Sequence, residues 1–200
     1  MNNTTKAVIY PAALGIGFLI GMIIGEVAFG APAKPLIFKG ENTLRLYGQV
    51  NSDTVGLANE ILARVERPGP INLIINSPGG SVIAGNTVIQ AMDVAKAKGK
   101  RINCMVTRFA ASMAFLIFNE CTHRYAMSTS LLLWHAPRIT ILGTFPAKDL
   151  KPIHDQLKMM EKFYADRILK KLNIDAGLYQ YYSDNNFFHF GEDLKRIDPT

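Results

Sequence analysis

From Leu44 onward, the chain alternates short apolar runs that are typical of strands with longer segments of helical periodicity. The predicted strands cover about residues 44–48, 71–76, 102–106, 123–127 and 131–135, and the predicted helices cover about 53–66 and 82–97, with a third opening near Ser112. Alternation at these lengths indicates parallel strands joined by helical crossovers. The sequence therefore predicts an α/β fold.

Three of these strands end at or before residues that can take part in catalysis. The first stops at Asn76-Ser77-Pro78-Gly79-Gly80-Ser81, the second leads to Ser112, and the third ends at His135. Ligands of parallel sheets bind at the carboxyl ends of the strands, so we expect the three ends to form one site. A Gly-Gly turn presents bare backbone N–H groups, and an imidazole activates a serine hydroxyl by taking its proton.

Each of these residues also has a simpler explanation. A serine between a strand and a helix is most often a helix N-cap, and a lone histidine after an apolar strand is usually a core or surface residue. The other histidines, His123, His154 and His189, have no comparable position relative to Ser112 and are interpreted as structural.

The motifs together resemble the proteolytic subunits of the Clp protease. The resemblance lies in Ser77-Pro78-Gly79-Gly80, Ala110-Ala111-Ser112-Met113 and His135-Ala136-Pro137, in this order, and in a first core strand at Leu44–Val50. It covers roughly residues 44 to 198. It implies a Clp protease/crotonase-like fold of repeated ββα units in a superhelix, with a protruding strand–helix handle.

The resemblance also implies a serine endopeptidase that acts on peptides or unfolded proteins and associates with copies of itself. Ser112 would be the nucleophile and His135 the general base, and the N–H groups of Gly80 and Met113 would form the oxyanion hole.

The acid of the triad is expected in the segment after the long C-terminal helix. Asp184 falls there and is the predicted acid, although spacing alone leaves Asp193 and Asp198 open. Asp175 sits too close to the end of the helix.

The N-terminus is predicted to be a separate segment. Ala7 to Gly25 contains no charge and, at about 1.5 Å per residue, is long enough to cross a hydrocarbon core of about 30 Å. We therefore divide the chain into residues 1–33, a hydrophobic helix with its linker, and residues 34–200, the peptidase domain. The predicted localisation is a single-pass membrane protein of unassigned orientation; the alternative is a cleaved signal and a secreted or periplasmic domain.

A strand-like run at Ile139–Phe145 and a long amphipathic helix at about 147–172 follow the histidine motif. In the resembled family, the equivalent strand and helix project from the head and pair with another subunit. The alternative is that they cap the sheet of their own chain. The apolar stripe of the helix needs a partner surface in either case; it comprises Ile153, Leu157, Met160, Phe163, Tyr164, Ile168 and Leu169.

The segment before the first strand departs from the family pattern. Family members carry an axial segment and a short helix there, by which an ATP-driven unfoldase docks, whereas this chain has the hydrophobic run and a proline linker. This difference favours an ATP-independent, membrane-tethered peptidase over one that works with an AAA+ unfoldase.

The sequence does not support several other functional classes. It contains no zinc-ligand spacing, phosphate-binding loop or RNA-binding aromatic motif, so we predict no metal, no cofactor and no nucleic acid partner. The net charge of +6 is interpreted as a solvated basic face. Cys104 and Cys121 are expected to be buried free thiols, with a disulfide possible in an extracytoplasmic domain.

Three alternatives to a peptidase with a Ser-His-Asp triad remain open. The chain would be a catalytically silent scaffold if only its assembly is used, or a crotonase-like acyl-CoA enzyme, which needs no serine nucleophile. A membrane peptidase with a lysine base fits the hydrophobic segment but leaves His135 unexplained.

Overall fold

A computed structural model describes residue 38 and residues 40–144, 146–172, 174–185 and 187–190, without the side chains of residues 178, 182 and 187–190. The predicted N-terminal hydrophobic helix and the alternative acids Asp193 and Asp198 lie outside the described residues. Within the described part of the chain, no helix has the length and apolar character needed to span a bilayer.

The described residues form a single mixed sheet. Its strands are β1 (Thr43–Val50), β2 (Ile71–Gly80), β3 (Ile102–Ala111), β4 (His123–Ala126), β5 (Leu131–Trp134) and β6 (Phe187–Phe190). The order is β1-β2-β3-β5-β6, and β4 pairs with the first half of β3 while β5 pairs with its end. All pairs are parallel except β5 with β6. The predicted parallel α/β fold is confirmed.

Five α-helices connect and cover these strands in the described region. They are α1 (Val55–Ala63), preceded by a 3₁₀ turn at Ser52–Thr54, α2 (Val82–Ala97), α3 (Met113–Asn119), α4 (Ala147–Leu169) and α5 (Ala176–Asp184). The buried face of α2 repeats at helical spacing, through Ala84, Val88, Ala91, Met92 and Ala95. It belongs to the same buried core as alternate residues of β2, such as Ile71, Leu73 and Ile75, which are fully buried.

Two central strands are longer than the sequence predicted. β2 continues to Gly80 and β3 to Ala111, and their register shifts between Ile75 and Ser77. The apolar pattern ends where the register shifts, which explains why the sequence predicts a strand that ends at Asn76. The added residues carry the two strand ends side by side to the edge of the sheet where the site lies.

The prediction of a strand over 139–145 is wrong across residues 139–144, which form no strand. These residues find no ladder partner in the described chain, and two of their apolar side chains, Ile139 and Leu142, are exposed by 53% and 88%. An extended run without a paired neighbour is not a strand, whatever its composition.

Helix α4 divides into two halves with different surroundings. Toward its C-terminus, Tyr164 and Ile168 are buried against the head of the same chain. Nearer its N-terminus and along its outer side, Leu150, Met159 and Phe163 remain at least half exposed. The predicted single stripe therefore packs on its own domain only in part.

Cys104 and Cys121 form a disulfide, so the expectation of free thiols is wrong. Cys104 lies on β3, and Cys121 follows α3. Their Cα atoms are 5.9 Å apart, within the range that a disulfide spans. The covalent loop encloses Ser112.

Candidate active site

Ser112 occupies the junction between β3 and α3 in an unusual backbone conformation. Its φ of 53° and ψ of −123° make it the only residue other than glycine with positive φ in the described part of the chain. Its side chain makes no capping hydrogen bond to α3, so it does not act as the N-cap that its position would predict. A strained residue at a strand-to-helix turn is typical of a nucleophile elbow.

The tip of β2 lies directly against this junction. A Cβ atom added to Gly79 would come 2.4 Å from the carbonyl oxygen of Ala111 and 2.8 Å from both the nitrogen of Met113 and the Cβ of Ser112. Only a residue without a side chain fits there, and the φ of +86° at Gly79 also favours glycine. The Gly-Gly turn thus brings bare backbone close to the serine.

Gly80 and Met113, the predicted oxyanion-hole residues, lie at the end of β2 and at the start of α3. Both line the same cavity as Ser112. Met113 is the first residue of α3, so its N–H has no acceptor within the helix and is free to face a ligand. Its side chain packs closely on Gly85 of α2, a contact that the sequence analysis missed.

A cavity of about 180 Å³ joins these groups. Ser112, His135, Gly80 and Met113 all line it, so the structure brings together four of the five predicted site residues. The remaining wall is mainly apolar and aromatic, and is formed by Val82, Leu116, Trp134, Pro137, Arg138 and Tyr164. Such a wall suits a substrate side chain beside a polar reacting centre.

His135 is held in one tautomer by its own neighbour. Its Nδ1 lies 2.7 Å from the carbonyl oxygen of Ala136. A carbonyl can only accept, so Nδ1 carries the proton and Nε2 of the neutral ring is left with its lone pair. The ring also stacks on Trp134, with centroids 6.4 Å apart and planes inclined by 16°. A neutral ring with a free Nε2 is the form that a general base needs.

Asp184 is not brought to this histidine. It is the last residue of α5, it is exposed, and its Oδ1 accepts a hydrogen bond of 3.0 Å from Nε2 of Gln180. The partner of Nδ1 on His135 is the Ala136 carbonyl. A carbonyl fixes the tautomer but lacks the negative charge that stabilises an imidazolium. The role of Asp184 as triad acid stays a prediction.

The sequence analysis also missed two aromatic residues of the site. Trp134 and Tyr164 both line the cavity and pack edge to face, with centroids 6.3 Å apart. The hydroxyl of Tyr164 donates to Oδ1 of Asn86 at 3.1 Å, and burial raises the pKa of this tyrosine. Apolar spacing on α4 marked Tyr164 as buried, but only the fold shows that it reaches the cavity. No cluster of metal-ligating side chains occurs among the residues that the structure describes.

The family model described as Clp protease matches residues 38–188. The ATP-dependent Clp protease proteolytic subunit 2 of Thermobifida fusca (strain YX) is 34% identical over 110 residues, which cover 54% of this chain and 52% of that protein. The chain thus spans about half the length of this curated relative.

Proposed function

We propose that this chain, which belongs to the Clp protease family, hydrolyses peptide bonds as a serine endopeptidase. The observation that carries the proposal is the strained backbone of Ser112 at a cavity shared with His135. Strained non-glycine residues concentrate at functional sites, because the surroundings must hold them in place.

In the proposed reaction, Oγ of Ser112 attacks the substrate carbonyl carbon while its proton passes to Nε2 of His135. The oxygen of the tetrahedral intermediate gains negative charge and accepts hydrogen bonds from the N–H groups of Gly80 and Met113. The C–N bond then breaks, and His135 returns the proton to the leaving amine. Water repeats the sequence on the acyl-serine and releases the second product.

A fluorophosphonate probe tests this function, because it labels only an activated serine. We expect labelling and peptide turnover in the wild-type chain, and neither in Ser112→Ala, since loss of the nucleophile costs on the order of 10⁴-fold or more. Ser130→Ala is a suitable control, because Ser130 is buried and its hydroxyl donates to the Val106 carbonyl. A wild-type chain that is neither labelled nor active would contradict the proposal and favour a silent scaffold or an acyl-CoA enzyme.

We further propose that the peptidase acts without an ATP-driven unfoldase, on short or already unfolded chains. The support is the hydrophobic run and proline linker that stand before β1 in place of the family's axial segment. An unfolded protein such as casein should be degraded without ATP, whereas a stably folded protein carrying the same sites should survive. Degradation that requires an added unfoldase and ATP would contradict this.

The proposed location is the membrane surface, with residues 7–25 as the tether. The disulfide between Cys104 and Cys121 supports a peptidase domain on the oxidising side, because disulfides rarely persist in the cytosol. The full chain should resist carbonate extraction from membranes, and a chain that starts at Lys34 should not need the membrane. If expression of the full-length gene yields a shortened protein that begins near Lys34, the N-terminal segment is instead a cleaved signal.

A further inference from the structure

Met113, whose N–H is one of the two predicted oxyanion donors, lies between two glycines from different elements. On its backbone side, a Cβ atom added to Gly79 at the tip of β2 would lie 2.8 Å from the nitrogen of Met113. On its side-chain side, a Cβ atom added to Gly85 of α2 would lie 2.6 Å from Cε and 2.9 Å from Sδ of Met113, and closer still to Cγ. Carbon atoms that are not bonded stay about 3.5–4.0 Å apart, so neither position has room for a side chain.

The contact between Gly85 and Met113 lies inside the core. Gly85 is buried, and Met113 is 2% exposed and belongs to the main hydrophobic cluster. The flexible end of a methionine gives way easily, but Cγ is the first atom beyond Cβ and moves only if χ1 changes. Helical residues have few χ1 rotamers, and close-packed neighbours occupy the space around a buried one. We therefore expect a methyl group at position 85 to displace the start of α3, where the N–H of Met113 lies.

The backbone of Gly85 does not explain why this residue is a glycine. Gly85 lacks the positive φ of Gly79 and Gly80, and its N–H donates to the Ser81 carbonyl at 3.0 Å, as in a regular helix. Alanine stabilises such a position relative to glycine, because glycine loses more conformational freedom when the helix forms. The space that Met113 occupies explains instead why position 85 carries no side chain.

Helix α2 is thereby connected to both predicted oxyanion donors. Gly80 directly precedes Ser81, the N-cap of α2, whose hydroxyl accepts from the N–H of Ala84 at 3.3 Å. Gly85 lies one turn further along the same helix and contacts the side chain of Met113. The helix thus holds the first donor through the chain itself and the second through a packing contact.

We propose that Gly85 is a positioning residue of the peptidase site, which sets the place of the Met113 N–H by leaving room for the Met113 side chain. The proposal rests on the proposed peptidase function. Gly85 is not part of the lining of the cavity around Ser112, and it acts only through Met113. An oxyanion hole depends on donors that are already in place where negative charge develops. A displaced donor should therefore reduce binding of the transition state more than binding of the substrate.

The test compares Gly85→Ala with Gly56→Ala. Gly56 lies near the start of α1, as Gly85 does near the start of α2, but no described atom lies within 4 Å of a Cβ added to it. We expect Gly85→Ala to lower kcat about 10- to 100-fold with KM unchanged, because small displacements within a site have effects of this size. Gly56→Ala should keep the wild-type values of both. Equal kcat in the two variants would overturn the proposal.

A peptide boronate separates a displaced donor from a general disturbance of the site. In this probe a boronic acid replaces the scissile carbonyl of the assay peptide. Oγ of Ser112 bonds to boron, its proton passes to His135, and the tetrahedral boron carries the negative charge. The inhibition constant should rise in Gly85→Ala by about the factor by which kcat/KM falls, because both measure transition-state binding. A fall in kcat without any change in the inhibition constant would contradict a role in the oxyanion hole.

Met113→Ala tests whether Gly85 acts through Met113. This substitution removes Cγ, Sδ and Cε, which are the atoms that a methyl group at position 85 would meet, and keeps the backbone N–H. When Gly85→Ala is added to Met113→Ala, kcat should therefore change by less than about 2-fold, since coupled positions do not lose their effects additively. The same loss of kcat in both backgrounds would show that Gly85 does not act through Met113 and would overturn the proposal.

The contact can also be measured without activity. The denaturation midpoint of Gly85→Ala should fall below that of the wild-type chain, because an overpacked core is less stable, whereas Gly56→Ala should keep or raise it. A midpoint of Gly85→Ala at or above the wild-type value would mean that the close contact does not exist, and would overturn the positioning role alone. An inactive, unlabelled wild-type chain would instead contradict the proposed function.

Discussion

Ser112 shows how a single residue can be held in a conformation that its side chain disfavours. A positive φ in a residue with a Cβ costs about 1–3 kcal/mol, which the surroundings must offset. Its N–H donates to the Leu133 carbonyl at 2.9 Å, and its own carbonyl accepts from Phe115 and Leu116 at the start of α3. The strand on one side and the helix on the other therefore fix the turn.

Gly79 is the residue whose replacement should disturb this turn most directly. Gly79→Ala would place a methyl group 2.4 Å from the Ala111 carbonyl, so the nucleophile segment must shift. Gly99→Ala is the matched control: Gly99 has a similar φ of +79°, but no atom lies within 4 Å of an added Cβ. The control isolates the conformational penalty of about 1–2 kcal/mol.

We expect Gly79→Ala to lower the free energy of unfolding by about 1–3 kcal/mol more than Gly99→Ala, as overpacking typically does. It should also reduce kcat, whereas Gly99→Ala should leave kcat unchanged. Denaturant unfolding and a peptidase assay measure the two effects. Equal stability and activity in both variants would mean that the close approach of β2 to Ser112 does not exist.

Asp184 can be tested against the geometry around His135. Loss of a triad acid lowers kcat by about 10⁴-fold, because the histidine adopts the wrong tautomer. In this structure the Ala136 carbonyl already fixes the tautomer, and Asp184 accepts a hydrogen bond from Gln180. We therefore expect Asp184→Asn to lower kcat far less than His135→Ala does. A loss as large as that of His135→Ala would establish Asp184 as the acid and show that α5 reorients in the active enzyme.

At the scale of the elements, a buried carboxylate links three helices. Glu120 follows the end of α3, and its side chain is only 4% exposed. It accepts from Nε of Arg167 at 2.7 Å and from Nζ of Lys171 at 2.7 Å, at the end of α4, while Lys96 of α2 lies 3.3 Å away. Arg167 also pairs with Asp93 of α2 at 3.2 Å. The network fixes the C-terminal half of α4 to the head.

This network predicts how stability depends on pH. Burial raises the pKa of Glu120, but the hydrogen bonds from Arg167 and Lys171 outweigh it and lower the pKa from 4.5 to about 2. The folded chain thus favours the ionised form, so its stabilisation is complete above about pH 4.5 and is lost as the pH falls toward 2. Glu120→Gln should cost about 3 kcal/mol at pH 7, because it removes the buried carboxylate that the partly buried Arg167 and Lys171 share.

Denaturant unfolding between pH 7 and pH 2.5 measures this contribution. The stability difference between the wild-type chain and Glu120→Gln should shrink as the pH falls. Glu161→Gln on α4 provides a control, since its partner Lys158 is largely exposed. A difference between wild type and Glu120→Gln that stays constant down to pH 2.5 would contradict the network.

The disulfide adds a second constraint on the nucleophile segment. Cys104 and Cys121 are 17 residues apart in sequence, and a loop of this size stabilises a fold by about 3 kcal/mol. We expect Cys104→Ala/Cys121→Ala to lose about that much stability, and reduction of the wild-type chain to have the same effect. A thiol titration before and after reduction checks that the bond is present. Unchanged stability after complete reduction would show that it does not contribute.

The sequence predicted the helices and the central strands because their apolar periodicities differ. It also identified Ser112, His135 and the Gly-Gly turn, since the chemistry of these residues is local. It did not predict the antiparallel β6 or the helix α5, and it assigned a strand at 139–145. These errors have one cause: whether these elements form depends on pairing and packing between segments that are distant in the sequence. The place of Tyr164 at the cavity could not be recognised for the same reason, because it depends on where α4 meets the end of β5.

At the scale of the whole molecule, α4 and the segment before it expose several large apolar side chains. Leu150, Met159 and Phe163 of α4 and the preceding Ile139 and Leu142 are each at least half exposed. Burial of one such side chain contributes about 1.5–3 kcal/mol, so this surface favours association. We propose that a second copy of the chain covers it, as the strand–helix handle of the resembled family implies.

Met159→Glu tests this assembly without disturbing the fold. Met159 is 69% exposed in the single chain, so a charge there leaves the core intact but would be unpaired in an apolar contact. Gln156→Glu adds the same charge at another exposed position of α4 and serves as the control. Sedimentation should show that Met159→Glu dissociates while Gln156→Glu remains assembled, with both chains equally stable to denaturant at low protein concentration. Unchanged assembly in Met159→Glu would place the contact elsewhere. A monomer that kept full peptidase activity would show that the site around Ser112 and His135 is complete within one chain.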